Sequence, residues 1–550
     1  LVAVSLFTVT AMAVDGEGSV IYVNAAAESD GNGTEASPYK SLDTAVVEAE
    51  EGTTIILQSD CELSTGFNKT LTFTGTGKIT INKQLTSNGE GWMCFGLYDP
   101  SKVLTFDGSG LEVKWNSEVG TAPWLMLSLS GTLNVTNGAK LSFSVDSGAT
   151  GSRNAIYMNA GSVINVSNGS TFEIYGYGTA GKEGQGIQLD KTGTANINVT
   201  GGSKFLIEGT NRGYVNSPTI YVEDSTFTIQ NCTSNASNGG KFTAVSSTIN
   251  YLNNGGHGLS AGELTIQDST LNCNNNAYYG ITYGTSMTAD ATSEIYANGY
   301  GTGYTGGGIR ADKASVTSCV KEGATVEIKG NKHNGLENYG TLTFEDGVTL
   351  TITDNDERTT NGGGIFNGSA GKLTLPENAI IMNNHAGQTG GGICNAGVIT
   401  MPASVQIYNN HAENGGDDIY NREGATITFP ETGTNWYLDG APDCYHRIDG
   451  WYDDSNVSRW EAHADADSGE KDHIVLFDDF DETTGLATII GLKALKAAHG
   501  VLDEDADKVS IRPADITIYM GADGGYESVI PGKGGNAQEN NGLPEPGYYI

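Results

Sequence analysis

The sequence has few basic residues for its length. Of 550 residues, 29 are Lys or Arg and 65 are Asp or Glu, which gives a formal net charge of −36 at pH 7. A chain this acidic is repelled by the phosphates of nucleic acids and by anionic lipid headgroups, which argues against both as partners. The same charge favours solubility outside the cell and the uptake of divalent cations, with calcium as the candidate ion.

Cysteine is scarce and scattered. The seven cysteines are odd in number and show no C-x-x-C spacing; they are Cys61, Cys94, Cys232, Cys273, Cys319, Cys394 and Cys444. This arrangement indicates neither a disulfide framework nor a zinc knuckle. We therefore expect most of them to be small buried residues.

Long apolar runs are missing too, apart from the first 13 residues, which read LVAVSLFTVTAMA. That run is too short to span a bilayer. It ends in Ala11-Met12-Ala13, which has the A-x-A form of a secretory cleavage site. We interpret residues 1–13 as the remnant of a signal peptide, and we expect a bacterial protein that is secreted or displayed on the cell surface.

Glycine, by contrast, is abundant and recurs in a pattern. A GGGI core ends at Ile309, Ile365 and Ile393, and weaker copies end at Leu336 and Ile419. Successive members of this series are 27, 29, 28 and 26 residues apart. A short period without gaps indicates a solenoid, in which each unit buries its apolar face against its neighbours. The five residues are predicted to form one ladder that points into the core.

Each unit has the pattern of short β-strands. In residues 391–410, GGICNAGVITMPASVQIYNN, apolar residues alternate in two runs that Gly, Asn and Pro separate. Three strands in fewer than 30 residues are typical of a right-handed parallel β-helix, and the sequence predicts this all-β fold for residues 19–430. Asn pairs such as Asn383-Asn384 close several units. We expect them to adopt left-handed backbone geometry and to stack in ladders.

The start of the solenoid resembles the first segment of the pectate-lyase-like β-helix superfamily. A strand at 20–23 precedes DGNGT and SPYKSL, which lead into a short helix at 41–51 and a strand at 52–57. An open solenoid end exposes its core, so we expect this helix, with Ser41 as N-cap, to cover it. Its buried side is predicted to consist of Ala45, Val46 and Ala49.

The composition changes after residue 430. Residues 431–550 contain 24 Asp and Glu against 8 Lys and Arg, a net charge of −16, and three of the six Trp. We interpret this region as a small, separate acidic C-terminal module, and we expect it to be truncated.

One motif is typical of catalysis on a β-helix. Gly256-His257-Gly258 resembles the Gly-His-Gly element of polygalacturonase-type glycoside hydrolases, in which three aspartates act as acid and base. The chain lacks the Asn-Thr-Asp that should precede His257, and Asp417-Asp418 follows far downstream, in the wrong order. If the chain is an enzyme, the candidates are His257, Asp417 and Asp418; otherwise no catalytic residue is predicted.

A compact acidic segment is the first candidate metal site. Asp354 and Asp356 lie in the sequence DNDER, at a turn before the glycines of the next unit. Carboxylates this close together can bind calcium, and an adjacent Arg would suit a uronate in a lyase. The alternative is a solvated loop.

Two histidines form the second candidate. His385 and His411 both follow an Asn pair and are 26 residues apart, so they are expected to stack on adjacent coils. Two stacked imidazoles can bind a metal ion or respond to pH, or they can be plain turn residues. Glu413 lies nearby with Asp417 and Asp418, in a group that can bind calcium or cap the last rung.

The repeat resembles that of polymorphic outer-membrane-protein adhesins. The segment from Asn383-Asn384-His385-Ala386 to GGGICN matches their pairing of a Gly-Gly-Ala-Ile element with a Phe-x-x-Asn element. Here Gly replaces Ala, and only IMNN and IYNN approximate the second element. The resemblance implies an adhesin-like stalk or binding surface that contacts polysaccharide, host glycan or host protein.

A polysaccharide lyase or glycoside hydrolase on the same scaffold is the alternative function. Glycosidases need carboxylates at a separation of roughly 5 to 9 Å. We favour the non-catalytic function, and we expect the coils to lack three carboxylates, or two carboxylates with Arg or Lys, that converge in a groove.

Overall fold

A computed structural model describes residues 19–81, 93–117, 125–145, 154–176, 184–191, 193–299, 306–357, 359–402, 404–408, 410–413 and 418–428, with four short strands between residues 434 and 489. The signal-peptide interpretation of residues 1–13, most of the acidic C-terminal region and Asp417 lie outside the described residues.

The described chain winds into a parallel β-helix. Its coils contribute strands to three sheets, which we number 1, 2 and 3 in their order along a coil, and each strand pairs in parallel with its neighbour one coil away. For example, Thr132–Thr136 lies between Val103–Asp107 and Val163–Val166. The prediction of an all-β parallel β-helix solenoid is confirmed.

Sheet 1 runs the length of the described solenoid. It includes the second halves of two long strands, Leu259–Gln267 and Ile281–Ala289. Its other strands are Val20–Val23, Thr53–Leu57, Leu71–Gly75, Val103–Asp107, Thr132–Thr136, Val163–Val166, Asn196–Thr200, Thr219–Glu223, Lys241–Val245, Thr317–Val320, Thr341–Phe344, Lys372–Thr374, Val398–Thr400 and Thr426–Thr428.

Sheet 2 follows sheet 1 along the chain. Its parallel strands are Cys61–Glu62, Gly77–Ile81, Leu111–Ser117, Lys140–Val145, Thr171–Tyr175, Lys204–Glu208, Thr226–Gln230, Thr248–Leu252, Thr270–Asn272, Glu294–Tyr296, Thr325–Lys329, Thr349–Thr353, Ala379–Met382, Ser404–Tyr408 and Thr434–Tyr437. After residue 430, Leu486–Ile489 pairs antiparallel with both Thr434–Tyr437 and Phe477–Asp481.

Sheet 3 completes the coil. Its first strands are Met93–Leu97, Leu125–Leu129, Asn154–Met158, Gln185–Leu189 and Arg212–Val215. From residue 259 the same place in the coil is taken by the first halves of the two long strands, and then by Ile309–Ala311, Leu336–Asn338, Ile365–Asn367, Ile393–Asn395, Ile419–Asn421 and Trp451–Asp453. In the last coils a side strip precedes sheet 3 along the chain; it consists of Asp356–Glu357, His385–Ala386 and His411–Ala412.

The predicted apolar ladder lies in sheet 3. Ile309 pairs with Leu336, Leu336 with Ile365, Ile365 with Ile393, and Ile393 with Ile419. None of the five side chains is more than 1% exposed. Successive residues of a strand point to opposite faces, so the residue after each ladder member lies on the outer face of the sheet. The period read from the glycines is therefore the period of the coils, and this prediction is confirmed.

The predicted N-terminal helix is confirmed, but it is shorter than expected. It spans Leu42–Glu48, and the Oγ of the N-cap Ser41 accepts a hydrogen bond from the amide of Thr44 at 3.3 Å. As predicted, the helix side chains buried against the first coils include Ala45, Val46 and the flanking Ala49.

Among the described residues no helix has the length and hydropathy needed to cross a membrane.

A lysine satisfies the carbonyl groups at the C-terminal end of the helix. Ala49 already has an extended backbone with ψ of 135°. Lys69 Nζ donates to the carbonyls of Val47 and Ala49, at 2.9 and 2.6 Å. A cation at a helix C-terminus satisfies carbonyls that have no partner within the helix and complements the helix dipole.

The described cysteines agree with the expectation that most are buried. Five are free thiols, and four of these are buried: Cys61, Cys232, Cys273 and Cys394. Burial raises the pKa of Cys232 to about 12, which keeps it a thiol at neutral pH.

Buried asparagines form hydrogen-bonded ladders between coils. Asn355 Nδ2 donates to Asn384 Oδ1 at 2.8 Å, and Asn384 Nδ2 donates to Asn410 Oδ1 at 3.0 Å. Asn384 Oδ1 also accepts from the Asn355 amide, and Asn384 Nδ2 also donates to the carbonyl of Ile352. The Asn384 side chain, 1% exposed, is thus satisfied from both sides. A second ladder joins Asn338, Asn367, Asn395 and Asn421.

We expect Ile365→Asp to lower the free energy of unfolding by about 4 kcal/mol or more, because it places an unpaired charge in the core. Urea denaturation followed by circular dichroism measures the change. The matched control is Val398→Asp: Val398 is 37% exposed and pairs in register with Lys372, so we expect a change within about 0.5 kcal/mol. Equal losses in the two variants would contradict the inward ladder.

We expect Asn384→Ala to lower the free energy of unfolding by about 3 kcal/mol, because it leaves buried donors and acceptors of two neighbouring coils without partners. The control is Asn383→Gly, since Asn383 is exposed and has a φ of 55°, which glycine adopts readily. Denaturant unfolding measures the free energy of unfolding of both variants. A loss at Asn383 as large as that at Asn384 would show that the turn, and not the ladder, carries the stability.

Candidate functional site

Polar and aromatic side chains from several coils meet on the outer side of sheet 3 and at the turns next to it. We call this group the tyrosine–glutamate cluster; it consists of Tyr279, Arg310, Asp312, His333, Glu337 and Tyr339. Arg310 and Glu337 follow Ile309 and Leu336 in adjacent strands and pair in register. Coil stacking thus brings together residues as far apart in sequence as Tyr279 and Glu337, which are 58 positions apart.

Glu337 is the centre of the cluster. Its side chain is only 7% exposed, although it lies on the outer face of sheet 3. Tyr279 donates its hydroxyl to Oε2, Tyr339 donates to Oε1 at 2.5 Å, and Arg310 Nη1 lies 3.3 Å from Oε2. Donors to a carboxylate make charge-assisted hydrogen bonds, which are stronger than neutral ones. The two tyrosines and the arginine therefore compensate the burial of this carboxylate.

The two tyrosines remain hydrogen-bond donors over a wide pH range. Burial, together with the hydrogen bond to Glu337, raises the pKa of Tyr339 to about 12. Burial and the negative charge of Glu337 raise the pKa of Tyr279 well above its usual value. Neither phenol ionises near neutral pH, so the arrangement around Glu337 is fixed there.

Arg310 joins two carboxylates and two aromatic rings. Its guanidinium lies 5.4 Å from the ring centres of both Tyr279 and Tyr339. Its Nε is 2.9 Å from Asp312 Oδ1, in an ion pair without hydrogen-bond geometry. Arg310 thus contacts both Asp312, two residues later on its own coil, and Glu337, on the next coil. Glu337 is almost fully buried, so these three groups do not converge in a groove, and the expectation that the coils lack such a groove stays a prediction.

His333 connects the cluster with the side strip. Its Nδ1 lies 3.0 Å from the Tyr279 hydroxyl, and its Nε2 lies 3.2 Å from Glu357 Oε2. Glu357 is 1% exposed, and its Oε1 accepts hydrogen bonds from the amides of Thr359 and Thr360. Glu337, Tyr279, His333 and Glu357 thus form a continuous series of polar contacts.

His257, a candidate from the sequence, lies beside this cluster. Its ring is 6.2 Å from that of Tyr279 and nearly parallel to it, and 5.4 Å from that of Tyr278. Burial lowers the pKa of His257, so the imidazole is neutral at physiological pH. Tyr278 itself is 55% exposed and presents its ring to solvent.

The other catalytic candidates are not brought together with His257. Asp418 is fully buried and accepts a hydrogen bond from Asn410 Nδ2 at 2.8 Å, at the end of an asparagine ladder. Six pairings in sheet 3 separate Leu259, near His257, from Ile419. At a strand spacing of about 4.8 Å this amounts to roughly 29 Å. Asp418 therefore does not share a site with His257; Asp417 is outside the described part of the chain.

The histidine candidates do meet. His385 pairs with His411 in the side strip, and their rings are stacked with centres 5.3 Å apart, as predicted. His385 Nε2 lies 3.2 Å from Glu413 Oε1, and His385 Nδ1 lies 3.1 Å from Asp356 Oδ1. One ligand atom from each of His385, His411 and Glu413 lies within 4.8 Å of the other two.

Asp354 stands apart from this group. Its Oδ2 lies 3.4 Å from Lys329 Nζ, whereas Asp356 Oδ2 lies 3.2 Å from Lys332 Nζ. The two carboxylates that the sequence placed in one calcium turn thus have different cationic partners. Calcium at this turn stays a prediction.

The sequence analysis did not predict the tyrosine–glutamate cluster, although the repeat period contains one signal for it. Arg310 and Glu337 each follow a member of the apolar ladder, so the period alone places them on adjacent rungs. Tyr279, His333 and Tyr339 lie in turns, where the strand period does not determine the direction of a side chain. Their closure over Glu337 is visible only in the structure.

We expect Arg310→Met to lower the free energy of unfolding by about 2 kcal/mol, because the buried carboxylate of Glu337 loses its cation. The matched control is Lys321→Met, which breaks an exposed ion pair with Glu345, 2.5 Å apart. It should leave stability essentially unchanged. Thermal or urea denaturation measures both. A loss in Lys321→Met as large as in Arg310→Met would contradict a special role for the buried pair.

Comparison with known proteins gives little. No protein-family model matches the chain, and no curated protein is similar to it. Among solved structures the chain is similar to a GH136 lacto-N-biosidase from Eubacterium ramulus, at 13% identity over 75% of this chain and 68% of that one. The TM-score is 0.19, too low for this likeness to bear on fold or function.

Proposed function

We propose that this chain is a secreted or cell-surface, adhesin-like β-helix protein that binds saccharides on its lateral face. The observation that carries the proposal is the exposed ring of Tyr278, whose centre lies 5.4 Å from that of His257, the residue that packs against Tyr279 of the tyrosine–glutamate cluster. The partner is a polysaccharide or a glycan of a host surface, and a glycosylated host protein belongs to the same class.

The chemistry of this face suits a saccharide. A sugar ring has an apolar face of C–H groups and an edge of hydroxyl groups. An exposed tyrosine covers such a face and offers a hydroxyl at its tip. The neighbouring arginine and carboxylate groups of Arg310 and Asp312, both partly exposed, supply donors and acceptors at fixed positions. Rigid placement lowers the entropic cost of binding.

The same contacts favour binding over catalysis. A general acid or base must reach a proton on the substrate. Both oxygens of Glu337 already accept hydrogen bonds from tyrosines within the protein, and its side chain is almost fully buried. A carboxylate held in this way is suited to ordering its neighbours.

Export of the protein rests on separate support. The apolar start of the chain ends in an A-x-A sequence, and the net charge of −36 suits an extracellular surface that avoids nucleic acids. A repetitive rod is a suitable carrier for a binding face at a distance from the cell, which is the role that the adhesin resemblance implies.

A polysaccharide lyase or glycoside hydrolase is the second candidate, and one observation favours it. Arg310 lies between the carboxylates of Asp312 and Glu337. The side chain of Asp312 is 39% exposed, so its carboxylate can reach a bound saccharide and act as acid or base. An experiment that distinguishes a saccharide-binding protein from an enzyme must measure both saccharide binding and the release of cleaved saccharide.

We expect Tyr278→Ala to weaken binding of the recognised saccharide about tenfold, as for an aromatic anchor, with little change in melting temperature. The saccharide is found by screening the purified chain against a polysaccharide and glycan panel, and affinity is then measured by calorimetry. The matched control is Tyr98→Ala, since Tyr98 is also exposed, at 42%, but lies in an earlier coil.

Three outcomes decide between the functions. Binding that weakens only in Tyr278→Ala supports the proposal. Release of reducing sugars or unsaturated uronates that Asp312→Asn abolishes would establish the enzyme instead. Absence of binding to every member of the panel would overturn the saccharide proposal.

A further inference from the structure

We propose that His385, His411 and Glu413 form a binding site for Zn²⁺, in which Asp356 orients His385. The proposal is independent of saccharide binding, because none of these residues belongs to the tyrosine–glutamate cluster. It rests on the stacking of the side strip, on the chemistry of the donor atoms and on the contact of Asp356 with the second ring nitrogen of His385.

The fold brings the ligands together without a special loop. Asp356, His385 and His411 occupy the same position in three successive strands of the side strip. Residues in register on neighbouring parallel strands lie about 4.8 Å apart, and the ring centres of the two histidines are 5.3 Å apart. Glu413 is two residues beyond His411, in the turn that follows its strand, and its Oε1 lies 3.2 Å from His385 Nε2.

The donor atoms are those of a zinc site. Two imidazole nitrogens and one carboxylate oxygen form a ligand set that zinc uses with a fourth position open to water. Calcium and magnesium prefer sites made of oxygen, so two histidines argue against both ions here. Copper and nickel also accept imidazole, but Cu(II) and Ni(II) favour square-planar or tetragonal geometry, whereas zinc suits a tetrahedral site.

The distances agree with coordination after small side-chain rotations. Zinc bonds to nitrogen and oxygen of about 2.0 to 2.2 Å in a tetrahedron require ligand atoms roughly 3.4 Å apart. His385 Nε2 and Glu413 Oε1 are 3.2 Å apart, and the ligand atoms of His385, His411 and Glu413 all lie within 4.8 Å of one another. The His411 ring would have to rotate about its side-chain bonds to bring its nitrogen from within 4.8 Å of the other ligand atoms to this separation.

Asp356 occupies the place of an orienting carboxylate. Its Oδ1 lies 3.1 Å from His385 Nδ1, in a contact without hydrogen-bond geometry, and its Oδ2 lies 3.2 Å from Lys332 Nζ. A carboxylate near the second nitrogen of a metal-binding histidine keeps the proton there and leaves the lone pair of Nε2 for the metal. The contact with Lys332 holds Asp356 in this role and balances its charge.

Zinc can reach this site from solvent. The side chain of Glu413 is 58% exposed and that of His385 is 27% exposed, while Asp356 behind them is 17% exposed. A bound ion would link the coil of His385 to the coil of His411 by side chains, in addition to the backbone pairing between their strands. Metal binding is therefore expected to stabilise this end of the regular coils.

The test is calorimetric titration of the full chain with ZnCl2, and separately with CaCl2, in metal-free buffer. Four further histidines follow residue 430, so stoichiometry is compared between variants. We expect the chain to bind one more Zn²⁺ than the double variant His385→Gln/His411→Gln. Glu413→Gln, at an exposed position, should also lose this site, and Asp356→Asn should weaken it about tenfold.

The matched control is His257→Gln, which removes a histidine outside the site and should bind Zn²⁺ like the unmodified chain. Melting temperatures without metal establish that all variants are folded, and Zn²⁺ should raise the melting temperature less in the double variant than in the control. Equal zinc stoichiometry in the chain and the double variant would overturn the proposal. Saturation by CaCl2 at this site in place of ZnCl2 would overturn it in favour of calcium.

Discussion

Backbone and asparagine hydrogen bonds between neighbouring coils hold the described part of the solenoid together. The strands satisfy their amides and carbonyls on the neighbouring coils, and the buried asparagines do the same with their side chains. A shift of one residue in the strand Ile393–Asn395 would turn Ile393 out of the core and would break the contact of Asn367 with Asn395. Register is therefore fixed along the rod, and differences in coil length fall in the turns. Asn254 bonds Cys232, 22 residues earlier, whereas Asn384 bonds Asn355 over 29 residues.

The lateral face follows from the same register. The side chains that point inward from sheet 3 must pack in the core, whereas the positions that point outward can hold charged or aromatic residues. Successive rungs place Arg310, Glu337 and Phe366 in line, and the guanidinium of Arg422 lies 5.5 Å from the ring centre of Phe366. Charged and aromatic residues thus form one continuous surface without any change in the scaffold. A solenoid can acquire a binding site by substitution on one face alone, because stacking supplies the proximity.

Much of this could be predicted, because the solenoid repeats one pattern. The spacing of the GGGI cores located the ladder from Ile309 to Ile419, and the equal positions of His385 and His411 placed them on adjacent coils. The asparagine pairs were interpreted correctly only in part. The first residue of a pair, such as Asn383, takes the left-handed backbone with φ of 55° and is exposed, whereas the second, Asn384, forms the buried ladder. Sequence spacing cannot assign these roles, nor the closure of Tyr279 and Tyr339 over Glu337, because side-chain directions in turns depend on packing between coils.

The buried asparagine ladder has a polarity. From Asn331 through Asn355 and Asn384 to Asn410, each amide donates towards the C-terminal end of the rod, and each side-chain carbonyl points back. The amide dipoles are therefore aligned, as peptide dipoles are in a helix, with their positive end at the last coils. Asp418, the acceptor at that end, is the one carboxylate in the series. The ladder thus resembles a helix N-terminus that holds an anion: an array of oriented amides in the core of the rod, directed at a single acidic side chain.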